Sequence, residues 1–355
     1  MKICYLINNI NPKNGWGRYA SDLIYNVRKK GHETIILKEM DDGLEGEVVL
    51  KRGIGMFLSA IKIRKHLRKC DIIHALDVYP YGIIAYLANL FLRKKMIITA
   101  QGTYSIAPFY NIKTRYLAKL ACNSADILIA ISHYTKDEFL KELRVNKVEV
   151  INHGIDLDKF YKDREVSNEN YILSVGALKF RKGYHISIPA FAEVKKRIPD
   201  LKYKIVGDQS DRNYFEKLKK LVKEYGVEQA VEFLSNLSDY ELGKLYSQAK
   251  LFILTSVNEG HHFEGFGLVF LEAAAAGLPV IGTLDNGIED AVKNGYNGIL
   301  VPQNDVEKTT DAMIEILKDK NRLQEMSDAS YQWAQQHSLL NMINEYLDLY
   351  NQSLV

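Results

Sequence analysis

The sequence has few cysteines and no long apolar run. Its three cysteines, Cys4, Cys70 and Cys122, are far apart, unlike those of a disulfide framework or a metal site. No apolar stretch reaches the roughly 20 residues that a membrane-spanning helix needs. The N-terminal segment MKICYLINN is also too short for the core of a secretory signal. We therefore expect a cytoplasmic chain with reduced thiols.

An excess of one charge is also lacking. The 355 residues include 47 Lys and Arg against 44 Asp and Glu, which gives a net charge of +3. A net charge this close to zero does not indicate nucleic-acid binding. Hydrophobic residues make up 47% of the chain and charged residues 26%, as in ordinary globular proteins. This length predicts two domains, each with its own core.

What the sequence does contain is an alternation of short apolar segments and longer amphipathic ones. This pattern is typical of a parallel sheet built from strand–helix–strand units, in the α/β class. The alternation stops at a polar stretch, Asp163 to Asn170, and restarts at Tyr171. We therefore predict two Rossmann-like domains, residues 1–165 and 166–337. The predicted strands are residues 2–7, 34–37, 71–75, 96–100, 127–131, 148–151, 171–175, 202–206, 230–233, 251–255, 279–281 and 299–301. The predicted helices are about 17–30, 54–69, 80–92, 111–124 and 134–143, with three more at about 305–318, 321–335 and 338–350.

The segment from Phe263 to Thr283, FEGFGLVFLEAAAAGLPVIGT, carries the clearest functional pattern. It follows a predicted buried strand and contains a helix from about Gly267 to Ala276. Gly277 and Pro279 mark the end of that helix. Its N-terminus would open at the carboxyl edge of a parallel sheet, where free amides bind phosphate or sugar oxygens. The amides expected there are those of Gly265, Gly267 and Leu268.

Two carboxylates frame this helix start, Glu264 just before it and Glu272 in its second turn. The pattern Glu264-x7-Glu272, with GFG between the carboxylates and AAxGLPV after them, resembles the signature of GT4-type retaining glycosyltransferases of the GT-B fold. The resemblance implies two Rossmann-like domains that face a central cleft. It also implies transfer of a hexosyl unit from a nucleotide diphosphate sugar to a hydroxyl acceptor. Glu264 would lie near the hexose, Glu272 would hold ribose hydroxyls, and Phe266 would lie in the same site. The last helix, about 338–355, would cross back onto the first domain.

A second motif, VGALKFRKG, opens the second domain and carries Arg181 and Lys182 just before a helix. Two cations on such a loop suit a pyrophosphate, because Arg offers a planar fork and Lys a mobile point charge. The resembled family has G-R-x-x-x-x-K-G here. Lys182 matches the Lys of that pattern, but Ala177 replaces its Arg, so we expect Arg181 to take over. Arg181, Lys182 and Glu264 are the predicted catalytic residues; a solvated basic loop is the alternative.

Two segments of the first domain complete the predicted site. Gly15 and Gly17 belong to a loop before a helix, similar to the glycine-rich loop that faces donor phosphates and acceptor in the resembled family. Gln101 follows the fourth strand, where family members commonly carry a His that faces the transferred sugar. Gln can donate and accept hydrogen bonds but does not titrate near neutral pH. We therefore expect Gln101 to position substrate.

Several other interpretations stay open. Gly15-x-Gly17-x-x-Ala20 after a strand, with Glu39 downstream, is compatible with an NAD-dependent oxidoreductase, although its first Gly is far from the strand. The Gln at 101 and the Ala at 177 are compatible with a catalytically silent subunit that binds nucleotide sugar. An epimerase of the same fold is a further alternative. We expect no cofactor and no metal, since neither the adjacent His261 and His262 nor any other cluster has metal-ligand spacing. A UDP- or GDP-linked donor is expected, but the sequence does not tell which.

Two basic and apolar stretches, Gly53 to Lys69 and Tyr79 to Lys95, also allow two interpretations. As core-facing helices they would simply keep their basic ends in solvent. As a membrane-facing surface they would bind anionic lipid head groups and give peripheral association with the inner face of the membrane. The cations concerned are Lys62, Arg64, Lys65, Arg68, Lys69, Arg93, Lys94 and Lys95.

Overall fold

A computed structural model describes residues 1–12, 15–143, 145, 148–160 and 169–354. The chain separates into two compact units, Met1–His153 with Leu339–Val355, and Gly154–Ser338. Each unit contains one parallel sheet with helices, so the predicted α/β class with two sheets is confirmed. The predicted boundary between residues 165 and 166 lies outside the described residues. No helix among those described is long and apolar enough to cross a bilayer.

The predicted strands all form, with ends that differ by at most two residues from those expected. The strands are β1 (Lys2–Ile7), β2 (Glu33–Lys38), β3 (Glu47–Val48), β4 (Ile72–Ala75), β5 (Lys95–Ala100), β6 (Ile127–Ala130), β7 (Val148–Val150), β8 (Tyr171–Val175), β9 (Lys202–Val206), β10 (Val231–Leu234), β11 (Leu251–Ile253), β12 (Val280–Thr283) and β13 (Gly298–Val301). The two-residue strand β3 was not predicted, because so short an edge strand carries no apolar pattern.

The helices follow the predicted alternation, with three short helices in addition. They are α1 (Gly15–Lys29), α2 (Gly55–Leu67), α3 (Ile83–Asn89), α4 (Thr103–Tyr110), α5 (Arg115–Asn123), α6 (His133–Glu142), α7 (Leu157–Phe160), α8 (Tyr184–Lys195), α9 (Arg212–Glu224), α10 (Asp239–Gln248), α11 (Leu268–Ala275), α12 (Ile288–Ala291), α13 (Val306–Lys318), α14 (Lys320–Gln336) and α15 (Leu339–Leu354). Two of the additions, α7 and α12, have only four residues each, too few to show a periodic pattern. The third, α4, was missed because it follows a strand directly and contains Pro108.

The strand order of each sheet places one switch point in each unit. The first sheet has the order β3-β2-β1-β4-β5-β6-β7 and the second β10-β9-β8-β11-β12-β13. The order reverses between β1 and β4 in the first sheet and between β8 and β11 in the second. Loops at the carboxyl ends of such strand pairs diverge and leave a crevice, which is where open α/β sheets bind ligands. The predicted site residues follow these strands or their neighbours.

The C-terminal helix α15 completes the core of the first unit. Its Tyr350 hydroxyl lies 3.2 Å from the hydroxyl of Tyr5 and 2.7 Å from Nδ1 of His74. Its Tyr346 hydroxyl lies 2.5 Å from that of Tyr19. Burial lowers the pKa of His74 to about 3, so the imidazole is neutral and can accept or donate in this network. These bonds satisfy polar groups that burial would otherwise penalise.

Candidate active site

The switch point of the second sheet brings together two segments that are far apart in sequence. Arg181 and Lys182 lie in a 3₁₀ turn after β8, and Glu264 lies after β11, just before α11. Lys182 Nζ donates to Glu264 Oε2 at 2.5 Å, and Arg181 Nη1 is 3.5 Å from the same oxygen. The three predicted catalytic side chains therefore form one cluster within the second unit.

This cluster is largely shielded from solvent and has an excess of positive charge. The side chains of Glu264 and Lys182 are 13% and 16% exposed. Burial by itself would raise the pKa of Glu264, but the Lys182 ammonium and then the Arg181 guanidinium outweigh it and hold that pKa below its usual range. The carboxylate is therefore charged at neutral pH. Two cations share it, which leaves one positive charge for an anionic ligand.

The backbone of the loop that carries Arg181 and Lys182 is held tightly against the segment that follows β11. Gly183 has φ +70°, and a Cβ there would lie 1.7 Å from the carbonyl oxygen of Thr255. The Thr255 hydroxyl donates to Gly183 O at 2.7 Å, and the amide of Val257 donates to Arg181 O at 2.8 Å. Arg181 Nη1 also donates to the carbonyl of Phe263 at 3.0 Å. These contacts fix the two cations before any ligand arrives.

Helix α11 begins beside Glu264, as predicted. Gly267, with φ +82°, is its N-cap, and Gly277, with φ +68°, follows its end. Within the described part of the chain, no protein group accepts a hydrogen bond from the amides of Gly267 or Leu268. Both amides are thus available to a ligand at the positive end of the helix dipole.

The other residues predicted around this helix start differ in how they can reach a ligand. Phe266 is buried, and its contact with a ligand stays a prediction. Gly265 packs closely against Gly287: a Cβ added at Gly287 would lie 2.0 Å from the carbonyl oxygen of Gly265. Glu272 is only 4% exposed, and its Oε2 accepts from the Tyr246 hydroxyl at 2.9 Å. This bond orients the Glu272 carboxylate, whose contact with ribose stays a prediction.

A small cavity lies at the switch point of the first sheet. Gln101 is 7% exposed, and among the described residues no acceptor lies within hydrogen-bond distance of its Nε2. Because a buried amide without a partner is costly, this donor is suited to a polar ligand. The cavity is lined by Ile7, Asn8, Asn9, Trp16, Tyr19, Ala20, Leu76, Tyr81 and Gln101.

The prediction that Gly15 and Gly17 lie in a loop before α1 is wrong, because both residues belong to the first turn of this helix. A Cβ at Gly17 would lie 2.1 Å from the carbonyl oxygen of Asn11, so this glycine is needed for close packing of the preceding loop. A Cβ at Gly15 would meet no atom within 4 Å. Trp16, between the two, lines the cavity and was not selected from the sequence. The preceding residues 13 and 14 lie outside the described residues.

Asp77 is a second residue that sequence reasoning missed, because a single Asp after a strand is a weak signal. It is fully buried beyond β4. Its Oδ1 accepts from the amide of Val78 at 2.7 Å and from the hydroxyl of Ser105. That hydroxyl in turn accepts from the amide of Gln101 at 2.7 Å. Asp77 thus positions the Gln101 backbone through Ser105.

Stability should depend on pH through Asp77. Burial raises the pKa of Asp77 to about 7, above the ordinary value of about 3.9. The folded state therefore favours the protonated form, and the associated stability is lost as pH rises from about 4 to about 7. Asp77→Asn removes this loss. The measured quantity is the free energy of unfolding of Asp77→Asn minus that of the unmodified protein. This difference should be about 2–3 kcal/mol larger at about pH 8 than at about pH 5. Urea unfolding at both pH values measures the difference; a difference that does not change with pH would contradict the assignment.

The remaining polar candidates do not form a metal site. Among the described residues, no group of three or more His, Cys, Asp and Glu side chains is placed to hold a metal ion. His261 and His262 contact each other, with ring centroids 4.3 Å apart. Glu39 binds Asn8 Nδ2, Tyr81 hydroxyl and Arg52 Nε at 3.1, 2.6 and 2.6 Å, so its carboxylate is occupied by side chains of the first unit.

Comparison with known families accounts for nearly the whole chain. The model of Glycosyltransferase Family 4 matches residues 13–159, and that of Glycosyl transferases group 1 matches residues 157–333. The chain belongs to the GT4-type glycosyltransferases. This membership confirms the predicted glycosyl transfer from a nucleotide sugar and gives no support to an NAD-dependent oxidoreductase or a silent subunit.

Individual relatives and structures resemble this glycosyltransferase over most of its length. An uncharacterised glycosyltransferase of Methanocaldococcus jannaschii is 28% identical over 272 residues, which are 76% of this chain and 72% of the relative. The GDP-mannose-dependent alpha-(1-6)-phosphatidylinositol monomannoside mannosyltransferase of Mycolicibacterium smegmatis is 28% identical over 271 residues, 72% and 69% of the two chains. The crystal structure of Anabaena HepE in complex with UDP has a TM-score of 0.86 at 20% identity and covers 99% of this chain and 100% of its own. The predicted GT-B fold is confirmed.

Proposed function

We propose that this glycosyltransferase moves a hexosyl unit from a UDP- or GDP-linked sugar to a hydroxyl acceptor, with retained configuration and without a metal ion. The observation that carries the proposal is the cluster of Lys182, Arg181 and Glu264 beside the N-terminus of α11. A partly buried pair of cations next to two available amides is suited to a diphosphate.

Charge stabilisation of the leaving diphosphate is the main catalytic effect that we propose. Negative charge develops on the bridging oxygen as the glycosidic bond to the diphosphate breaks. Lys182, Arg181 and the amides of Gly267 and Leu268 would stabilise this charge, and they are already in place before the reaction. These groups supply the positive charge that a divalent cation supplies in other enzymes, which supports the proposal of metal independence.

Glu264 is proposed to bind the hexose rather than to attack it. Its Oε2 contacts both cations, so we propose that Oε1 is the oxygen that binds sugar hydroxyls. With the carboxylate engaged in this way, we propose attack by the acceptor on the face that the diphosphate leaves. The bond from the anomeric carbon to the phosphate oxygen breaks, the bond to the acceptor oxygen forms, and the acceptor proton passes to the departing phosphate oxygen.

The remaining predicted residues are assigned to the two substrates. Glu272 would hold the ribose of the donor, and Gly265 and Phe266 would contribute backbone contacts. Gln101, with its unpartnered amide, would bind a hydroxyl of the sugar or acceptor, supported by the first turn of α1 with Gly15 and Gly17. The phosphatidylinositol mannoside in the name of the Mycolicibacterium relative supports a lipid-linked acceptor. We therefore propose that the enzyme works in the cytoplasm, peripherally at the inner face of the membrane.

Thermal shift against nucleotides tests this proposal directly. Binding of the correct nucleoside diphosphate at a concentration of about 100 Kd should stabilise the protein by about 2.7 kcal/mol. UDP, GDP and ADP are compared in the presence of a chelator, with NADH as the control ligand. A selective shift with UDP or GDP names the donor base. Stabilisation by NADH alone, or a shift that requires added Mg²⁺, would contradict the donor or the metal-free part of the proposal.

A further inference from the structure

Helix α2 exposes apolar side chains although it already has a buried face. Met56, Ile63 and Leu67 lie in the interior of the first unit. On other sides of the same helix, Ile61 is 69% exposed and Leu58 is 60% exposed. The predicted core-facing role therefore accounts for only one face of this helix. The exposed apolar residues of this region are Ile54, Phe57, Leu58 and Ile61.

The turn after α3 presents another apolar side chain beside α2. Phe91 is 90% exposed and has φ +72°, a conformation that is unfavourable for a residue with a Cβ. The turn is ordered by Asn89, whose side chain bonds to both the amide and the carbonyl of Lys94 at 2.9 and 2.7 Å. Arg64 Nη2 donates to Leu90 O at 3.0 Å and so joins the turn to α2. A structured turn that holds a phenylalanine in solvent indicates an apolar partner.

Cations surround these apolar side chains. Among the described residues, no carboxylate forms an ion pair with Lys62, Arg68, Lys69 or Arg93. From Val48 to Ala125 the only acidic residues of the sequence are Asp71 and the buried Asp77. Glu47 pairs with Lys65 and His66, and Asp126 pairs with Lys95. Cations still outnumber these carboxylates, so the surface is basic although the whole chain is nearly balanced in charge.

We propose that this surface, formed by residues 54–69 with α2 and by residues 90–95, binds a bilayer of anionic lipids. Apolar side chains would enter the interface while Lys and Arg contact the head groups, as in interfacial amphipathic helices. Exposed aliphatic residues favour a lipid surface over a nucleic acid, which binds cations and stacking aromatics. This inference deepens the proposed function, because a lipid-linked acceptor requires the enzyme at the membrane.

Vesicle co-sedimentation of the full chain tests the inference. Binding is expected with vesicles of phosphatidylcholine and phosphatidylglycerol and not with phosphatidylcholine alone. Lys62→Gln with Lys69→Gln should weaken binding about 25-fold, at about fivefold for each neutralised charge. Phe91→Ser should weaken it about tenfold. The matched controls are Lys220→Gln with Lys223→Gln, which changes net charge equally on exposed residues of α9, and Leu340→Ser, which removes an exposed apolar side chain of α15.

Each result supports or contradicts the proposed binding of lipids by this surface. Loss of binding in the α2 and Phe91 variants, with both controls unchanged, supports it. Equal loss in the controls, no binding to anionic vesicles, or displacement of vesicles by RNA with no effect of Phe91→Ser would overturn it. The nucleotide thermal shift is measured on the same samples. A normal shift in a protein that does not bind vesicles separates failure of the lipid inference from failure of the donor site.

Discussion

Lys182→Ala is expected to lower kcat/KM for glycosyl transfer about 10²–10³-fold, the usual cost of removing one preorganised group that stabilises transition-state charge. Lys182 is the cation closest to Glu264 in the cluster. Its loss removes charge from the diphosphate site and leaves a buried carboxylate with only the more distant Arg181. Release of nucleoside diphosphate from the donor identified by thermal shift measures the rate, with acceptor varied at saturating donor.

The control for this variant is Lys179→Ala, three residues earlier in the same loop. Lys179 is exposed, and within the described structure it forms no ion pair with Glu264. It carries the same charge, so a general electrostatic effect of the loop would reduce activity equally in both variants. Lys179→Ala should retain activity within about twofold. Near-normal turnover by Lys182→Ala in a folded protein would refute the role of this residue.

Gly183→Ala is expected to lower the free energy of unfolding by about 3–4 kcal/mol, the sum of a left-handed alanine and an overpacked contact. The φ of +70° is unfavourable for alanine, and the added Cβ would overlap the carbonyl oxygen of Thr255. Since that oxygen belongs to the buried backbone just after β11, it has little freedom to move. The same substitution would displace Arg181 and Lys182, so activity should fall with stability. Thermal and urea unfolding measure the first effect.

Gly226→Ala provides the matched comparison, because Gly226 has φ +65° and a Cβ there would meet no atom within 4 Å. It isolates the conformational cost of alanine, about 1–2 kcal/mol. The excess destabilisation in Gly183→Ala then measures the contact with Thr255. If both variants were destabilised equally, the tight packing of the loop that carries Arg181 and Lys182 would not be supported.

Much of the fold followed from local patterns. Strands of a parallel sheet are buried on both faces, so they appear as apolar runs such as Leu251–Ile253, which sequence alone can locate. The end of α11 was also predicted, because Gly277 adopts a conformation that favours glycine. By contrast, α1 begins at Gly15, in a segment that was predicted to be a loop because it contains two glycines. Its burial against α15, which is remote in sequence, stabilises the helix despite its two glycines.

The sequence by itself determined the two parallel sheets, the family and the choice of Arg181, Lys182 and Glu264, because each rests on residues close together in the chain. Only the tertiary structure decided which distant groups meet. Lys182 and Glu264 are brought into contact because β8 lies beside β11 in the sheet. Likewise, the sequence left open whether α2 faces the core or a membrane, and the exposure of part of its apolar residues became evident only in the tertiary structure. Burial and pairing depend on strand order and on neighbouring elements, and local sequence does not encode either.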